Sequence, residues 1–227
     1  MLVNNMKNEK MDKLSEKVSI VFSDEFKFNS DTFWLAKFSM PKSKEKIVAD
    51  LGCGCGGILL WWYANGFLGK SFAVDVQREA CDLVMKSAKL SNLDEKIEVI
   101  CDDIKTLRKI PKGSVDLVVC NPPYFTSGKV SSKIFRATAR HEVSTSLKEF
   151  IKSASKLLKS TGRLCMCYRA DKLCDMLNFM REENIEPKRL KFIGLDNNKP
   201  IKFFMVEGKK NSKPDLKCYF ENLYCSS

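Results

Sequence analysis

The stretch Asp50-Leu51-Gly52-Cys53-Gly54-Cys55-Gly56-Gly57 decides how this chain is expected to fold. An apolar run over residues 47–51 leads into it and a second apolar run over residues 58–64 follows, so we predict a strand, a glycine-rich turn and a helix in that order. Glycines permit a tight turn and let a ligand approach the bare backbone. The stretch therefore indicates a ligand-binding loop at the end of a strand in an α/β sheet.

The glycine spacing fits two cofactor-binding patterns. Gly52, Gly54 and Gly57 satisfy the G-x-G-x-x-G pattern of dinucleotide-binding proteins. Asp50 and the alternating glycines up to Gly56 also satisfy the D-x-G-x-G-x-G pattern of S-adenosylmethionine-dependent methyltransferases. Both patterns bind adenosine, so other residues must separate them. The acidic residue at position 50, ahead of the first glycine, favours the methyltransferase pattern.

The next two predicted strands run into acidic residues. Residues 71–74 lead to Asp75, whose carboxylate can accept two hydrogen bonds from an adenosyl ribose in either class of protein. Residues 97–100 lead towards Asp103 and Ile104. A carboxylate there can bind the adenine amino group while Ile104 covers the ring, which again favours the methyltransferase pattern. A solvent-exposed acidic turn is the alternative for Asp103.

Strand-like and helix-like segments alternate from residue 46 onward, as in a parallel sheet with helices on both faces. The last two strand-like segments are joined by Asp196-Asn197-Asn198-Lys199-Pro200, whose residue types predict the turn of a hairpin. We therefore predict an α/β, Rossmann-like fold with a mostly parallel seven-stranded sheet and a C-terminal antiparallel hairpin. The predicted strands are 47–51, 71–74, 97–100, 115–120, 163–168, 188–195 and 201–207, and the predicted helices are 57–64, 77–91, 147–158 and 173–183.

Length and composition limit the class of protein. A chain of 227 residues is long enough for one full α/β domain but not comfortably for two. We expect an N-terminal extension (1–45) packed near the cofactor pocket, a main domain (46–208) and a basic C-terminal tail (209–227). The net charge of +11 and pI near 9.1 fit a polyanionic partner such as nucleic acid.

Hydropathy and cysteine usage predict the compartment. The longest apolar run, residues 58–64, is too short for a membrane span, and the polar start has no signal-peptide core. The 10 cysteines lie mostly within apolar segments and include no C-x-x-C pair. We therefore expect a soluble, cytoplasmic protein with reduced thiols and no metal site.

The stretch Cys120-Asn121-Pro122-Pro123-Tyr124-Phe125 ends a predicted strand abruptly. Chain order places this strand beside the glycine-loop strand, and ligands of such sheets bind beyond the carboxyl ends of the strands. Two prolines should hold Asn121 extended and present its side-chain oxygen and the Pro122 carbonyl as rigid acceptors. Two acceptors can bind both N–H groups of an exocyclic amine and make its lone pair available to a methyl donor. Tyr124 would stack on the base, whereas an ordinary proline turn is the alternative.

These motifs resemble those of the class I, Rossmann-like S-adenosylmethionine-dependent N-methyltransferases, and most closely the family of tRNA1(Val) adenine-37 N6-methyltransferases. The resemblance extends to residues 26–35, which are similar to the Phe-x-Phe-x-x-Asp segment that packs over the cofactor in such enzymes, and to residues 136–142 and 157–164. One minor departure is Ser160-Thr161-Gly162, where a Pro-Gly turn is common.

The resemblance implies S-adenosyl-L-methionine as cofactor, a tRNA substrate and a set of site residues. The implied cofactor-binding residues are Phe28, Asp31, Asp50, Gly52, Gly54, Gly56, Asp75, Val76, Asp103, Ile104 and Asn121. The implied catalytic residues are Asn121, Pro122 and Tyr124.

The catalytic motif alone does not choose the methyl acceptor, because adenine N6, cytosine N4 and the glutamine amide all carry NH2 on an sp2 carbon. A DNA enzyme normally needs a sizeable region to read base edges, and little sequence lies outside the core. An anticodon-loop base is already single-stranded, so RNA is favoured. The alternatives are a protein-glutamine N5-methyltransferase and a non-catalytic RNA-binding module. An NAD dehydrogenase fits the glycine loop but leaves Asn-Pro-Pro-Tyr unexplained.

Basic residues follow the Asn-Pro-Pro-Tyr motif directly and can contact phosphates near the pocket. The predicted RNA-binding residues are Lys129, Lys133, Arg136, Arg140 and His141. Further lysines recur over residues 148–159 and 209–217, where a solvated surface is the simpler interpretation. The sequence does not predict the oligomeric state.

Overall fold

The computed structural model describes residues 9–122, 147–194 and 200–222. Its strands are β1 (Lys10–Lys13), β2 (Ser19–Phe22), β3 (Ile47–Leu51), β4 (Lys70–Asp75), β5 (Ile97–Cys101), β6 (Val115–Cys120), β7 (Leu158–Arg169), β8 (Ile185–Gly194), β9 (Phe203–Lys210) and β10 (Lys217–Asn222). Its helices are α1 (Ser30–Ser39), α2 (Gly57–Ala64), α3 (Arg78–Leu90), α4 (Leu147–Leu157) and α5 (Leu173–Glu182).

The main sheet has the order β10-β8-β9-β7-β6-β3-β4-β5. Strands β3 to β7 are parallel, while β9 runs antiparallel to both β7 and β8. The predicted mostly parallel sheet with a C-terminal antiparallel hairpin is therefore confirmed. The glycine-loop strand β3 lies between β4 and β6, as chain order predicts.

The predicted strand count is wrong, because the main sheet has eight strands rather than seven. The additional strand is β10, which pairs in parallel with β8 and comes from the segment predicted only as a basic tail. Tyr219 and Phe220 have the side chains that strands favour, but lysines around them concealed the pattern. Several boundaries also differ by a few residues, and the largest difference is that β7 begins at Leu158, where the helix was expected to end, rather than at residue 163.

The two faces of the sheet have separate hydrophobic cores. Along β6, Leu117 and Val119 pack with α1, α2 and α3 on one face, whereas Val118 and Cys120 pack with α4 and α5 on the other. This alternation follows from the two-residue period of a strand, and burial on both faces explains the nearly continuous apolar sequence of β6. Across the described ranges, no helix combines the length and the apolar composition needed to cross a membrane.

A buried ion cluster attaches the N-terminal segment to the sheet. The Arg163 guanidinium on β7 binds both carboxylate oxygens of Glu45 at 2.7 Å and one oxygen of Glu207 on β9 at 3.0 Å. It also donates to the carbonyl of Met40, just after α1, at 3.2 Å. Burial alone would raise the pKa of Glu207, but Arg163 and its cationic neighbours hold that pKa below its ordinary value. The cluster thereby fixes α1 against the sheet.

Candidate functional site

The glycine loop is built at the carboxyl ends of β3 and β4. Gly52, Gly54 and Gly56 have φ values of 76°, 53° and 77°, a region that residues with a Cβ rarely adopt. The backbone N–H groups of Gly52 and Cys53 donate to the Val74 carbonyl at 2.8 and 3.0 Å, which holds the loop against β4. The sequence thus folds locally as predicted, with the loop passing directly into α2.

Asp75 ties the glycine loop to the turn after β4. Its Oδ2 accepts from the Gly54 backbone N–H at 2.9 Å, and its Oδ1 accepts from that of Gln77 at 3.0 Å. Burial raises the pKa of Asp75, and these backbone hydrogen bonds oppose the rise. A carboxylate has about four lone-pair positions, so both oxygens keep capacity for ribose hydroxyls.

Asp50 is a buried acid beneath the loop, with 1% of its surface exposed. Within the described part of the chain, neither of its carboxyl oxygens has a hydrogen-bond partner. Burial, and then the negative charge of Asp75, raise the pKa of Asp50 to about 8. A buried acid without a partner destabilises the fold by itself, so the arrangement suits a ligand that brings a cationic N–H group to this point.

The turn after β5 lies beside the turn after β4. The Asp102 backbone N–H donates to the Asp75 carbonyl at 3.0 Å. Asp103 is partly exposed and its Oδ1 accepts from the Lys105 backbone N–H at 2.9 Å, so the acidic turn also has a local structural role. Ile104 is buried, while Val76 is 60% exposed beside Asp75. An exposed apolar side chain here suits contact with a flat ring.

The segment that precedes β3 closes one side of the glycine loop. A Cβ on Gly57 would lie 2.2 Å from Cδ2 of Phe28, so the Phe28 ring covers the backbone where α2 begins. Asp31 lies in the first turn of α1, and burial raises the pKa of its carboxyl. The Phe28 ring thus lies next to the glycine loop.

Asn121 follows β6 on the other side of the glycine loop. The register pairs Asp50 with Val119, so Asn121 follows the end of β6 at the same edge of the sheet as the glycine loop that follows β3. Its Nδ2 donates to Oγ1 of Thr32 at 3.3 Å, and the Thr32 hydroxyl donates to Oδ1 of Asn29 at 2.8 Å. The Thr32 hydroxyl proton points to Asn29, so towards Asn121 the Thr32 oxygen can act only as a hydrogen-bond acceptor. The Asn121 amide nitrogen is therefore turned towards Thr32, and its oxygen faces away.

Sequence reasoning missed Thr32 and Asn29. The available signal was their place in the Phe-x-Phe-x-x-Asp segment and the N-cap residue type of Asn29, whose Oδ1 also accepts from the Thr32 backbone N–H at 3.0 Å. Pro122 is buried next to Asn121. Several predicted site residues lie outside the described ranges, namely Tyr124, Lys129, Lys133, Arg136, Arg140 and His141.

The described ranges contain no group of three or more His, Cys, Asp or Glu side chains that could hold a metal ion. The cysteines of those ranges, including the C-x-C pair Cys53 and Cys55 in the glycine loop, are all free thiols. Burial raises the pKa of the Cys55 thiol to about 11. This thiol is therefore protonated and serves as a small packing residue.

The sheet order, the glycine loop and the acidic residues after β3 and β4 define the class I, Rossmann-like fold of S-adenosylmethionine-dependent methyltransferases. Two solved structures share this fold. A predicted O-methyltransferase from Agrobacterium tumefaciens matches with a TM-score of 0.69 at 18% identity, covering 87% of this chain and 89% of that chain. A SAM-dependent methyltransferase from Aquifex aeolicus matches with a TM-score of 0.56 at 18% identity, covering 79% and 89%.

Within this class, residues 17–183 match the methyltransferase small domain, and the chain belongs to that family. A tRNA1(Val) (adenine(37)-N6)-methyltransferase from Shewanella halifaxensis is 32% identical over 124 residues, which are 54% of this chain and 50% of that protein. The enzyme of the same name from Parabacteroides distasonis is 24% identical over 195 residues, 80% of this chain and 82% of that protein. The chain thus spans about half the length of the first of these relatives.

Proposed function

We propose that the chain transfers a methyl group from S-adenosylmethionine to N6 of an adenine in RNA, and that this base is adenine 37 in the anticodon loop of a tRNA. The observation that carries the proposal is the position of Asn121, at the same edge of the sheet as the glycine loop and with its amide oriented by Thr32. The relatives that bear the name tRNA1(Val) (adenine(37)-N6)-methyltransferase support the choice of substrate. Such a substrate places the activity in the cytoplasm.

The described residues fit the cofactor at four points. The glycine loop exposes backbone for close approach, the Asp75 oxygens can bind the ribose hydroxyls, and Val76 with Ile104 can contact the adenine. Asp50 is buried and has no hydrogen-bond partner among the described residues, so it suits the cationic amino group. When bound, S-adenosylmethionine supplies an activated methyl group on a sulfonium.

Asn121 and Pro122 would bind the methyl acceptor. The Asn121 Oδ1 faces away from Thr32, and together with the Pro122 carbonyl it can accept the two N–H groups of the adenine amine. These hydrogen bonds draw the nitrogen towards a tetrahedral shape, so its lone pair leaves the ring system and points at the donor. A dedicated base is not required, since the methylated ammonium is acidic and loses its proton to water. The protein's contribution is therefore chiefly alignment.

The remaining predicted residues enter this proposal as substrate contacts. Tyr124 would stack on the target base, and Lys129, Lys133, Arg136, Arg140 and His141 would contact the neighbouring phosphates. The N-terminal extension (1–45) would complete the pocket through Phe28, Asp31 and Thr32. These roles stay predictions.

The test is to incubate the protein with methyl-labelled S-adenosylmethionine and an unmodified tRNA1(Val) transcript, and to identify the product nucleoside by mass spectrometry. The expected product is N6-methyladenosine at position 37. A transcript with guanine at position 37 is the matched control and should take no label. Label in polypeptide, in cytosine or at another adenine would contradict the proposal.

A further inference from the structure

Three aromatic rings lie together where α1 meets α2, and we call them the ring cluster. The Phe33 ring makes edge-to-face contacts with Trp34 and with Trp61 on α2, at 5.6 and 5.9 Å between ring centres. All three side chains are partly exposed. Trp34 and Trp61 also pack against the hydrophobic core beneath α1 and α2, whereas Phe33 is not a member of either core of the described ranges. The two indoles thus hold the Phe33 ring at the surface.

The helical period places Phe33, Trp34 and Lys37 on the outer face of α1. Residues 33 and 37 are four apart and residues 34 and 37 are three apart, so their side chains are neighbours on the helix surface. Leu35 and Ala36, which lie between them in sequence, are fully buried. The Lys37 Nζ lies 5.3 Å from the centre of the Trp34 ring. The ring cluster therefore presents aromatic surface with a cation at its edge.

Lys37 brings an uncompensated charge to this surface. Its side chain is exposed, and no carboxylate among the described residues pairs with it, so its contact with the Trp34 ring leaves the positive charge in place. The indole N–H groups of Trp34 and Trp61 have no acceptor within the described ranges, whereas that of Trp62 donates to the Ala36 carbonyl at 2.9 Å. A cation, two available donors and a flat ring suit a ligand with anionic groups and flat bases.

A second lysine–aromatic pair lacks this charge and lies on the opposite face of the sheet. The Lys148 Nζ on α4 lies 5.3 Å from the centre of the Phe179 ring on α5, the same distance as in the pair on α1. Lys148 is also ion-paired with Glu182 at 2.7 Å, so its charge is compensated. Phe179 packs against the core beneath α4 and α5. This pair therefore offers a matched control.

The ring cluster is continuous with the proposed acceptor site. Thr32, whose Oγ1 lies 3.3 Å from Nδ2 of Asn121, immediately precedes Phe33, so the Cα atoms of Thr32 and Phe33 are about 3.8 Å apart. Trp61 follows Gly57 by four residues, which is about one turn into the helix that begins at the glycine loop. Both helices therefore bring their rings close to the edge of the sheet where Asn121 lies.

We propose that the Phe33 ring stacks on a base of the RNA substrate next to the target adenine, and that Lys37 contacts the phosphate backbone there. The proposal rests on the proposed function, since it requires an RNA substrate. Stacking combined with cationic contacts binds single-stranded nucleic acid with little sequence preference, because every base has a π face. The ring cluster thus holds the strand beside the reacting base while Asn121 orients the amine.

The first experiment measures methylation of the unmodified tRNA1(Val) transcript by Phe33→Leu, which keeps an apolar side chain but removes the flat ring. The KM for tRNA should rise by about 5- to 100-fold, while the Kd for S-adenosylmethionine stays within about twofold. Phe33→Tyr keeps the ring and should restore the KM. Phe179→Leu is the matched control and should leave the KM close to the wild-type value.

A second experiment tests whether Phe33 stacks on a base. Two transcripts carry an abasic nucleotide, one directly before and one directly after adenine 37. With the wild-type protein, one of them should raise the KM by a factor similar to that of Phe33→Leu. With Phe33→Leu the same transcript should cause no further rise, because the stacking contact is already lost. Losses that multiply for both transcripts would show that Phe33 stacks on neither base, and the proposal would be wrong.

The phosphate contact is tested by salt dependence. Lys37→Gln should reduce the salt dependence of tRNA binding by about one phosphate contact, Lys37→Arg should restore it, and Lys148→Gln should leave it unchanged. An unchanged KM in Phe33→Leu, with wild-type protein that methylates the transcript, would overturn the stacking proposal alone. A wild-type chain that labels no RNA would overturn the proposed function as well. A dimer that dissociates on Phe33→Leu, with no change in the KM, would assign the ring cluster to a second copy instead.

Discussion

The Nδ2 of Asn121 lies 3.3 Å from Oγ1 of Thr32, so the end of β6 and the first turn of α1 share a hydrogen bond across 89 residues of sequence. The Thr32 hydroxyl is committed as a donor to Asn29, at 2.8 Å. This chain of two hydrogen bonds assigns the orientation of the Asn121 amide. The Asn121 side-chain oxygen is the group that the proposed mechanism uses, and it is therefore directed by a residue of helix α1, which precedes the glycine-loop strand β3.

Thr32→Val is predicted to slow methyl transfer by removing the acceptor that orients Asn121. The valine has nearly the same shape, so Asn121 stays in place but its amide can rotate. We expect kcat to fall by about 10- to 100-fold with little change in the Kd for S-adenosylmethionine. Thr32→Ser keeps the hydroxyl and should retain most of the rate. Equal rates for the valine and serine variants in single-turnover assays would contradict this role.

Asn121→Ala is predicted to remove most of the methyl transfer activity while cofactor binding largely survives. The change removes one of the two acceptors for the adenine amine but leaves the glycine loop and Asp75 intact. We expect a loss of about 100-fold or more in kcat/KM, with isothermal titration still showing cofactor binding. Adding Thr32→Val to Asn121→Ala should cost nothing further, since Thr32 acts through Asn121. A second, additive loss would mean that Thr32 has a separate function.

The glycine loop and Asp75 could be predicted from sequence because their signals are local. A strand, three alternating glycines and an acid after the next strand occupy short windows, and chain order then places β6 beside β3. The Thr32 contact could not be predicted in this way, because it joins distant segments and depends on the packing of α1. The same limit applies to Arg163, whose partners come from two distant parts of the chain, the segment with Met40 and Glu45 and strand β9 with Glu207.

Cofactor affinity is predicted to rise with pH up to about 8. The pKa of Asp50 is raised to about 8 by burial and by Asp75, so below that pH the carboxyl is protonated before binding. A cationic cofactor group favours the ionised form of Asp50, so the Asp50 carboxyl must lose its proton on binding. Below pH 8 this lowers the cofactor affinity by up to about tenfold per pH unit. Calorimetry from pH 6 to 9 checks this. In the Asp50→Asn variant, only the ionisation of the cofactor itself can make the affinity depend on pH. Identical pH profiles for the wild type and this variant would refute the role of Asp50 in cofactor binding.

Asp50→Asn is predicted to stabilise the cofactor-free protein at alkaline pH. The raised pKa means that the folded state binds a proton that the unfolded state releases near the ordinary value of 3.8. The free energy of unfolding that Asp50 contributes through this proton is therefore fully present below about pH 4 and is lost as the pH rises towards 8. Asparagine is neutral at every pH, so the melting temperature of the Asp50→Asn variant should exceed that of the wild type by several degrees at pH 9. The conversion is about 2–4 °C for each kcal/mol of unfolding free energy. The difference in melting temperature between Asp50→Asn and the wild type should be smaller at pH 4. A difference that does not change with pH would argue against the raised pKa of Asp50.

Arg163→Met is predicted to destabilise the fold by about 3–5 kcal/mol, because it leaves the buried Glu45 carboxylate without the Arg163 cation, whereas Glu207 keeps Arg189. Lys159→Met on the same strand is the matched control. Lys159 also binds a carboxylate, Asp116 at 2.7 Å, but its side chain is 44% exposed, so the loss should be about 1 kcal/mol or less. Urea denaturation measures both. Combining Arg163→Met with Glu45→Leu should recover part of the lost stability, because the uncompensated charge of Glu45 is then removed. Equal losses of stability in Arg163→Met and Lys159→Met would contradict the anchoring role of the buried ion cluster.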